Sequence, residues 1–417
     1  MWPFRKSRAR QVRTGAPWWL VHDGTGDAGV PLTESRRCDV AIVGAGITGA
    51  LVADALVATG QRIVVLDAGE PGQGSTAAST ALLQYEIDTH LVDLVRMVGA
   101  DRATLAYRAC VSSIPTLEAR FPEILPGAAF ERVPSLYLAA DESSIDTLRA
   151  ELAARRAIGI DCEWLDADDL ARRFGAKRPG AIFSALGAQV NPLQLARALL
   201  NGCRRHGVQV FARSKVTGIE SEADALRLRT SQGVDLIADH AVVCAGYESP
   251  AFLPEPVADV NNTFAFVTEP LAAGDPATRL PIVWESSRPY LYMRTTPDRR
   301  LIVGGEDVPF SSTAARDVLL PRQVAKLVAK YRKLFDRDVP PIAAAWAGSF
   351  AQTRDGLPYI GVSPKGDRRV SYALCYGGNG ITYGVFAGDI VRAGIEGRTH
   401  ELTEVFGFGR PLGVAKS

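Results

Sequence analysis

Residues 38–67 read CDVAIVGAGITGALVADALVATGQRIVVLD. Cys38 to Val43 is a short apolar run of strand type. Gly44-Ala45-Gly46-Ile47-Thr48-Gly49 fits G-x-G-x-x-G, and helix-favouring residues of low polarity follow from Ile47 to Ala58. Gly60 supplies a helix stop, Ile63 to Leu66 is a second apolar strand, and Asp67 ends it. This is a complete strand–turn–helix–strand unit, and each part has a reason. Gly44 permits the tight turn, Gly46 lets backbone amides approach a pyrophosphate, and Gly49 allows close helix–strand packing. The helix start offers unpaired N–H groups and partial positive charge to phosphates. Asp67 stands eighteen residues after Gly49, near the spacing of a carboxylate that binds a ribose hydroxyl. The stretch predicts a dinucleotide site.

Working outward, the chain has 417 residues, long for one core, so two domains are expected. A hydrophobic fraction of 47% with a net charge of +1 is ordinary for a globular protein and gives no global argument for nucleic acid or a membrane surface. The six Cys form no C-x-x-C and read as small buried hydrophobes of a reducing compartment. Five scattered His offer no metal cluster, so no metal is expected. No apolar run reaches the length of a membrane span. Arg5, Lys6, Arg8, Arg10 and Arg13 make a basic arm with no signal-type apolar segment after it. These features together predict a soluble, cytoplasmic protein.

Residues 1–35 read as a lead-in that packs Trp18 and Trp19 on the body. The small-residue stretch Ala68 to Thr80 suits close backbone and hydroxyl contacts to phosphates and a ring. Helices are expected over 88–98, 101–120, 143–156, 168–174, 321–334 and 381–395. Asn191-Pro192 caps and starts another, ending near His206. Strands are expected near 132–139, 208–211, 214–220, 225–230, 234–237, 262–268, 290–295, 301–304 and 370–375. Asp239 to Gly246 is expected as a separate buried strand ending in small residues. Tyr290, Tyr292 and Arg294 alternate and so share a face. Tyr376-Gly377-Gly378-Asn379-Gly380 is a second glycine-rich strand-to-helix turn, with a helix start suited to an electron-rich group.

Several pieces carry a family resemblance: Gly44–Gly49 with Asp67, Gly74–Thr80, Val242–Gly246, Tyr290–Gly305, Asp355–Gly361 and Gly377–Thr382. In this order, over nearly all the chain beyond residue 36, they resemble the FAD-dependent amine and amino-acid oxidases of the D-amino-acid oxidase superfamily, the branch of the glycine, sarcosine and γ-glutamylputrescine oxidases. The resemblance implies an α/β fold: a Rossmann-like FAD-binding domain of the GR2 type with a second, α+β substrate domain whose antiparallel sheet roofs the flavin ring. After the lead-in, FAD-binding segments are implied over 36–98, 187–250 and 345–417, and substrate-domain segments over 99–186 and 251–344.

By the same resemblance FAD is the cofactor. Its adenosine and pyrophosphate fall to Gly44, Gly46, Ile47, Thr48, Gly49, Asp67 and Ala68. Ser75 and Thr76 take phosphate-contacting positions, and Thr80, Ala81 and Leu82 pass near the flavin. Val216 matches a backbone contact to adenine, and Ala245 and Gly246, at the end of the Val242–Gly246 piece, are also implied to bind the cofactor. Gly378, Asn379, Gly380, Ile381 and Thr382 match the turn whose amides face the pyrimidine end of the ring. Tyr292 matches a position that contacts substrate carboxylate.

Two departures stand out. Phe350 occupies the place of a carboxylate-binding Arg in glycine oxidase, and Thr382 that of a Lys with the same task in sarcosine oxidase. No Cys stands near Phe350–Ala351, where sarcosine oxidase tethers its flavin, so non-covalent FAD is expected. The reaction implied is hydride transfer from a carbon next to nitrogen onto flavin N5, giving an imine, with reoxidation by O2 or another acceptor. The partners are then a small amine or amino acid and that acceptor, with Tyr292, Phe350 and Tyr290 as pocket candidates. Two other readings stay open: an FAD-dependent hydroxy-acid dehydrogenase, which wants a His base, and an FAD-binding subunit without turnover of its own.

Overall fold

Arg36–Val43 and Ile63–Leu66 pair in parallel, Val43 opposite Leu66, with helix Ile47–Val57 between them in sequence. Gly44 makes the turn at φ 108°. A Cβ on Gly49 would lie 1.9 Å from the Gly44 carbonyl oxygen, so only glycine lets the helix start pack on the turn. The computed structural model describes residues 12–26 and 28–411. Of the basic arm, Arg5, Lys6, Arg8 and Arg10 lie outside the described residues.

Among the described residues this unit seeds an eight-stranded sheet. Its order is Gln209–Phe211, Ile63–Leu66, Arg36–Val43, Asp235–Val243, Leu226–Thr230 and Val216–Ser221. Val370–Leu374 also pairs with Asp235–Val243, and Tyr359–Val362 with Val370–Leu374. The expected break between 237 and 239 is absent. Asp235–Val243 is one strand, because its parallel ladder to Arg36–Val43 continues past Asp239 and through His240. Helices Pro192–Arg205 and Gly380–Ile395 pack on Ile47–Val57. Asn191 caps the former, its side chain accepting from the Leu193 and Gln194 amides.

A nine-stranded sheet forms the second layer. Its order is Arg13–Gly15, Ile342–Gln352, Asp259–Thr268, Leu301–Pro309, Leu291–Thr295, Ile282–Glu285, Ser135–Leu138, Gly180–Ser184 and Glu163–Asp166. One face packs on helix Thr313–Phe335 through Phe264, Phe266, Leu327 and Leu334. That helix begins eight residues before the expected Pro321, because the Ser312 hydroxyl caps the Ala315 amide. Ile342–Gln352 belongs to this sheet, so the boundary expected at 344/345 falls inside a strand. Tyr290 lies just before Leu291–Thr295 rather than in it. The lead-in adds the edge strand Arg13–Gly15, and helix Trp18–Asp23 buries Trp18 and Trp19 against Ala78, Leu193 and Trp346. No helix among the described residues is long and apolar enough to cross a membrane.

Candidate active site

A cavity of about 1160 Å³ opens where the strand ends of the eight-stranded sheet meet two helix starts. Gly44, Gly46, Ile47 and Thr48 line it at the first helix start, and Gly378, Gly380 and Ile381 at the second. Asp67, Ala68, Ser75, Thr76, Leu82, Val216, Ala245 and Gly246 complete its predicted wall. Gly49, Thr80, Ala81, Asn379 and Thr382 do not line it, and neither do Tyr290, Tyr292 and Phe350. The Asn379 amide donates instead to the Glu86 carbonyl, and the Thr382 hydroxyl to the Gln84 carbonyl. Their side chains tie the second helix start to the segment from Gln84 to Glu86.

The carboxylate of Asp67 accepts from the Ala45 and Gly69 amides at 2.7 and 2.8 Å, which aims it at the first turn. Burial raises its pKa, and those two amides oppose the rise. The Thr76 hydroxyl accepts from the Ile47 amide at 3.0 Å. Cys375 also lines the cavity, and burial pushes its thiol up to about 12.

The small-residue stretch is held by three side chains. The indole of Trp346 donates to the Ala78 carbonyl at 2.8 Å, the indole of Trp19 to Ser79 at 2.7 Å, and the guanidinium of Arg294 to Thr80 at 2.7 Å. Successive carbonyls are thus clamped from the second sheet and the lead-in. Ala81 follows in the left-handed region at φ 56°. No local sequence pattern marks these three clamps, since each joins residues 60 or more apart in the chain.

The same face of the nine-stranded sheet carries the pocket candidates. Alternation along Ile342–Gln352 puts Phe350 beside Trp346 and Gly348. Tyr292 lies across Gly304, where a Cβ would sit 2.3 Å from its ring, and its hydroxyl is 3.0 Å from the Thr263 hydroxyl. Burial raises the Tyr292 phenol. Tyr290 is half-buried under Arg288, whose guanidinium stands 3.9 Å from its ring centre. Sequence reading missed Asp307. A register shift at Asn262/Phe264 bulges the partner strand there, with Glu306 at φ 54°. Val308 then packs towards the helix face, and Asp307 turns to the Thr263 side. Burial raises its carboxyl to about 6; the Thr263 hydroxyl and Arg288 oppose this, while Asp88 and Glu306 add to it.

The site fits FAD on its own geometry. Side-chain-free Gly44 and Gly46, a helix start and the Thr76 hydroxyl stand where a pyrophosphate needs close amides. The Gly377–Gly380 turn opens a second helix start on the same cavity.

Comparison with known proteins agrees. Glycine oxidase of Bacillus licheniformis is 26% identical over 362 residues, which span 85% of this chain and 92% of the relative. Gamma-glutamylputrescine oxidoreductase of Escherichia coli strain K12 is 27% identical over 371 residues, 86% of this chain and 84% of the relative. For the fold alone, the crystal structure of glycine oxidase from Geobacillus kaustophilus superposes with a TM-score of 0.73 at 22% identity, covering 90% of this chain and 99% of that one. Residues 39–393 match the family model described as FAD dependent oxidoreductase, and with the cofactor's cradle built from the same stretch, the chain belongs to the DAO family of FAD-dependent oxidoreductases.

Proposed function

We propose that this protein oxidises the C–N bond of an amine or amino acid to an imine, with FAD held non-covalently. The relatives named for glycine and γ-glutamylputrescine support the substrate class. The observation that carries the reading is the sheet face above the Ala78–Thr80 carbonyls. It presents Tyr292, Thr263 and Phe350, and the strands that build it contain no His. Oxidation of C–OH by this route wants a base there; a neutral amine does not. When bound, FAD supplies the two-electron acceptor for the carbon next to nitrogen.

The chain's own residues bind and orient. Gly44 to Thr48, Asp67, Ser75, Thr76, Val216, Ala245 and Gly246 hold the adenosine and pyrophosphate. Gly49 packs that helix start, and Ala68 borders it. Thr80, Ala81 and Leu82 would carry the backbone past the flavin, and Gly378, Asn379, Gly380, Ile381 and Thr382 place the second helix start, where partial positive charge would stabilise an electron-rich group. Tyr292 positions substrate, with Phe350 and Tyr290 as apolar walls. Cys375, with its thiol pushed up to about 12, is a weak nucleophile, which supports a flavin that leaves on denaturation.

Anaerobic mixing of the flavin-loaded protein with amines, amino acids and hydroxy acids tests the reading. Bleaching of the flavin by amines or amino acids is expected, with peroxide on readmission of air if O2 is the acceptor. Bleaching by hydroxy acids alone refutes it.

A further inference from the structure

Asp307 and Glu306 are neighbours with different surroundings. Glu306 is buried and sits 3.2 Å from Lys326 and 2.9 Å from Lys330. Asp307 faces the other side of the sheet, and its Oδ1 is buried with no hydrogen-bond donor. No ion pair reaches Asp307 among the described residues. A buried carboxylate left so costs free energy unless something cationic joins it.

Among the described residues no fixed cation on that side of the sheet pairs with it. Arg294 is spent on the carbonyls of Thr80 and Val190. Phe350 and Thr382 stand where the resembling oxidases carry an Arg and a Lys, and Thr382 is bonded to Gln84. Arg288 is exposed at the rim, stacked on Tyr290 and bonded to the Asp88 carbonyl. The Asp88 carboxylate accepts from the amide of Gly378, a residue of the cavity wall, and is near enough to raise Asp307 and Tyr292. Two carboxylates and two hydroxyls, Asp88, Asp307, Thr263 and Tyr292, therefore gather beside the flavin end of the cavity. A substrate carboxylate would meet repulsion here; an ammonium would meet acceptors.

We propose that Asp307 is the counter-ion for a second, non-reacting ammonium of the substrate, so that the site takes a diamine rather than an amino acid. The inference rests on the C–N oxidation proposed above. The reacting nitrogen must be neutral to be oxidised, and a carboxylate at its side holds the proton on. A carboxylate suits a charge that stays through the reaction, at the far end of the molecule. Asp307 is thus a specificity residue, with Tyr292 and Thr263 sharing the remaining ammonium hydrogens.

The test uses the flavin-loaded protein under anaerobic conditions, with linear α,ω-diamines from propane- to hexanediamine, monoamines of matched length and 4-aminobutanoate. Binding is read from the flavin difference spectrum and from the shift in melting temperature, and reduction from bleaching. The best diamine is expected to bind about ten-fold or more tightly than its matched monoamine, with 4-aminobutanoate weakest. In Asp307→Asn, checked for flavin content and melting, that ratio should fall to about two-fold. No diamine preference in the wild type, or a preference that survives Asp307→Asn, overturns the proposal. Bleaching by monoamines or 4-aminobutanoate with no diamine preference refutes it and leaves C–N oxidation standing. Diamines that bind tightest through Asp307 yet never bleach the flavin support this site and refute that reaction.

Discussion

At the scale of single residues, Asp307 is ionised at neutral pH at a cost to the fold. Its carboxyl is raised from 3.8 to about 6 by burial, with Asp88 and Glu306 adding and Thr263 and Arg288 opposing. Between those two values the folded state holds a proton that the unfolded state has lost. Stability therefore falls as pH rises from about 4 through about 6, and stays low above. Asp307→Asn removes that cost. It should raise stability at pH 8 by about 1–3 kcal/mol and change little at pH 4. Thermal melts of the ligand-free variant at the two pH values check this; equal effects at both would refute the unpaired carboxylate.

At the scale of elements, the segment from Ala78 to Leu82 is shaped by what clamps it. Its residues have almost no side chain to anchor it. The carbonyls of Ala78, Ser79 and Thr80 take donors from Trp346, Trp19 and Arg294 instead. Arg294 is fully buried, and burial lowers it to about 9, so it still carries charge at neutral pH. Arg294→Ala leaves the Thr80 and Val190 carbonyls without donors and should cost about 2–4 kcal/mol. It should also lower the flavin-to-protein absorbance ratio, since the clamped backbone runs on to Leu82 of the cavity wall. Arg294→Lys, which keeps the charge but cannot fork to two carbonyls, should recover only part. A variant with full flavin content and an unchanged melt would show that the clamp holds nothing.

At the scale of the whole molecule, the lead-in ties the two layers together. Arg13–Gly15 extends the nine-stranded sheet, while Arg13 donates to the Gln73 carbonyl beside the cavity. Asp23 accepts from the Asn191 side chain, which caps helix Pro192–Arg205. Trp18 and Trp19 are buried between these parts. Removing residues 1–24 strips two buried indoles, an edge strand and the Ser79 clamp. The loss is several kcal/mol in apolar burial alone. The truncated protein should melt lower and release flavin on gel filtration, where the full chain retains it. Co-elution of flavin with the truncated chain would confine the lead-in to sheet-edge packing.

The sequence alone determined whatever depends on neighbours in the chain. The unit from Cys38 to Asp67, the Asn191 cap and the Gly377–Gly380 helix start are local patterns of glycine, capping residue and apolar period, and each stands where those patterns put it. From them the cofactor family was legible. Composition alone starts helix Thr313–Phe335 too late and splits strand Asp235–Val243 in two, because their limits come from a cap and a ladder. Only the tertiary structure decided the substrate side. The clamps on Ala78, Ser79 and Thr80 bridge 268, 60 and 214 residues, and no local period encodes a partner so distant. Nothing in Gly304-Gly305-Glu306-Asp307 distinguishes one acid from the other. A bulge turns one towards the lysines of a helix and the other towards Tyr292 and Thr263, and a side chain's charge acquires a task only once the sheet has set which face it occupies.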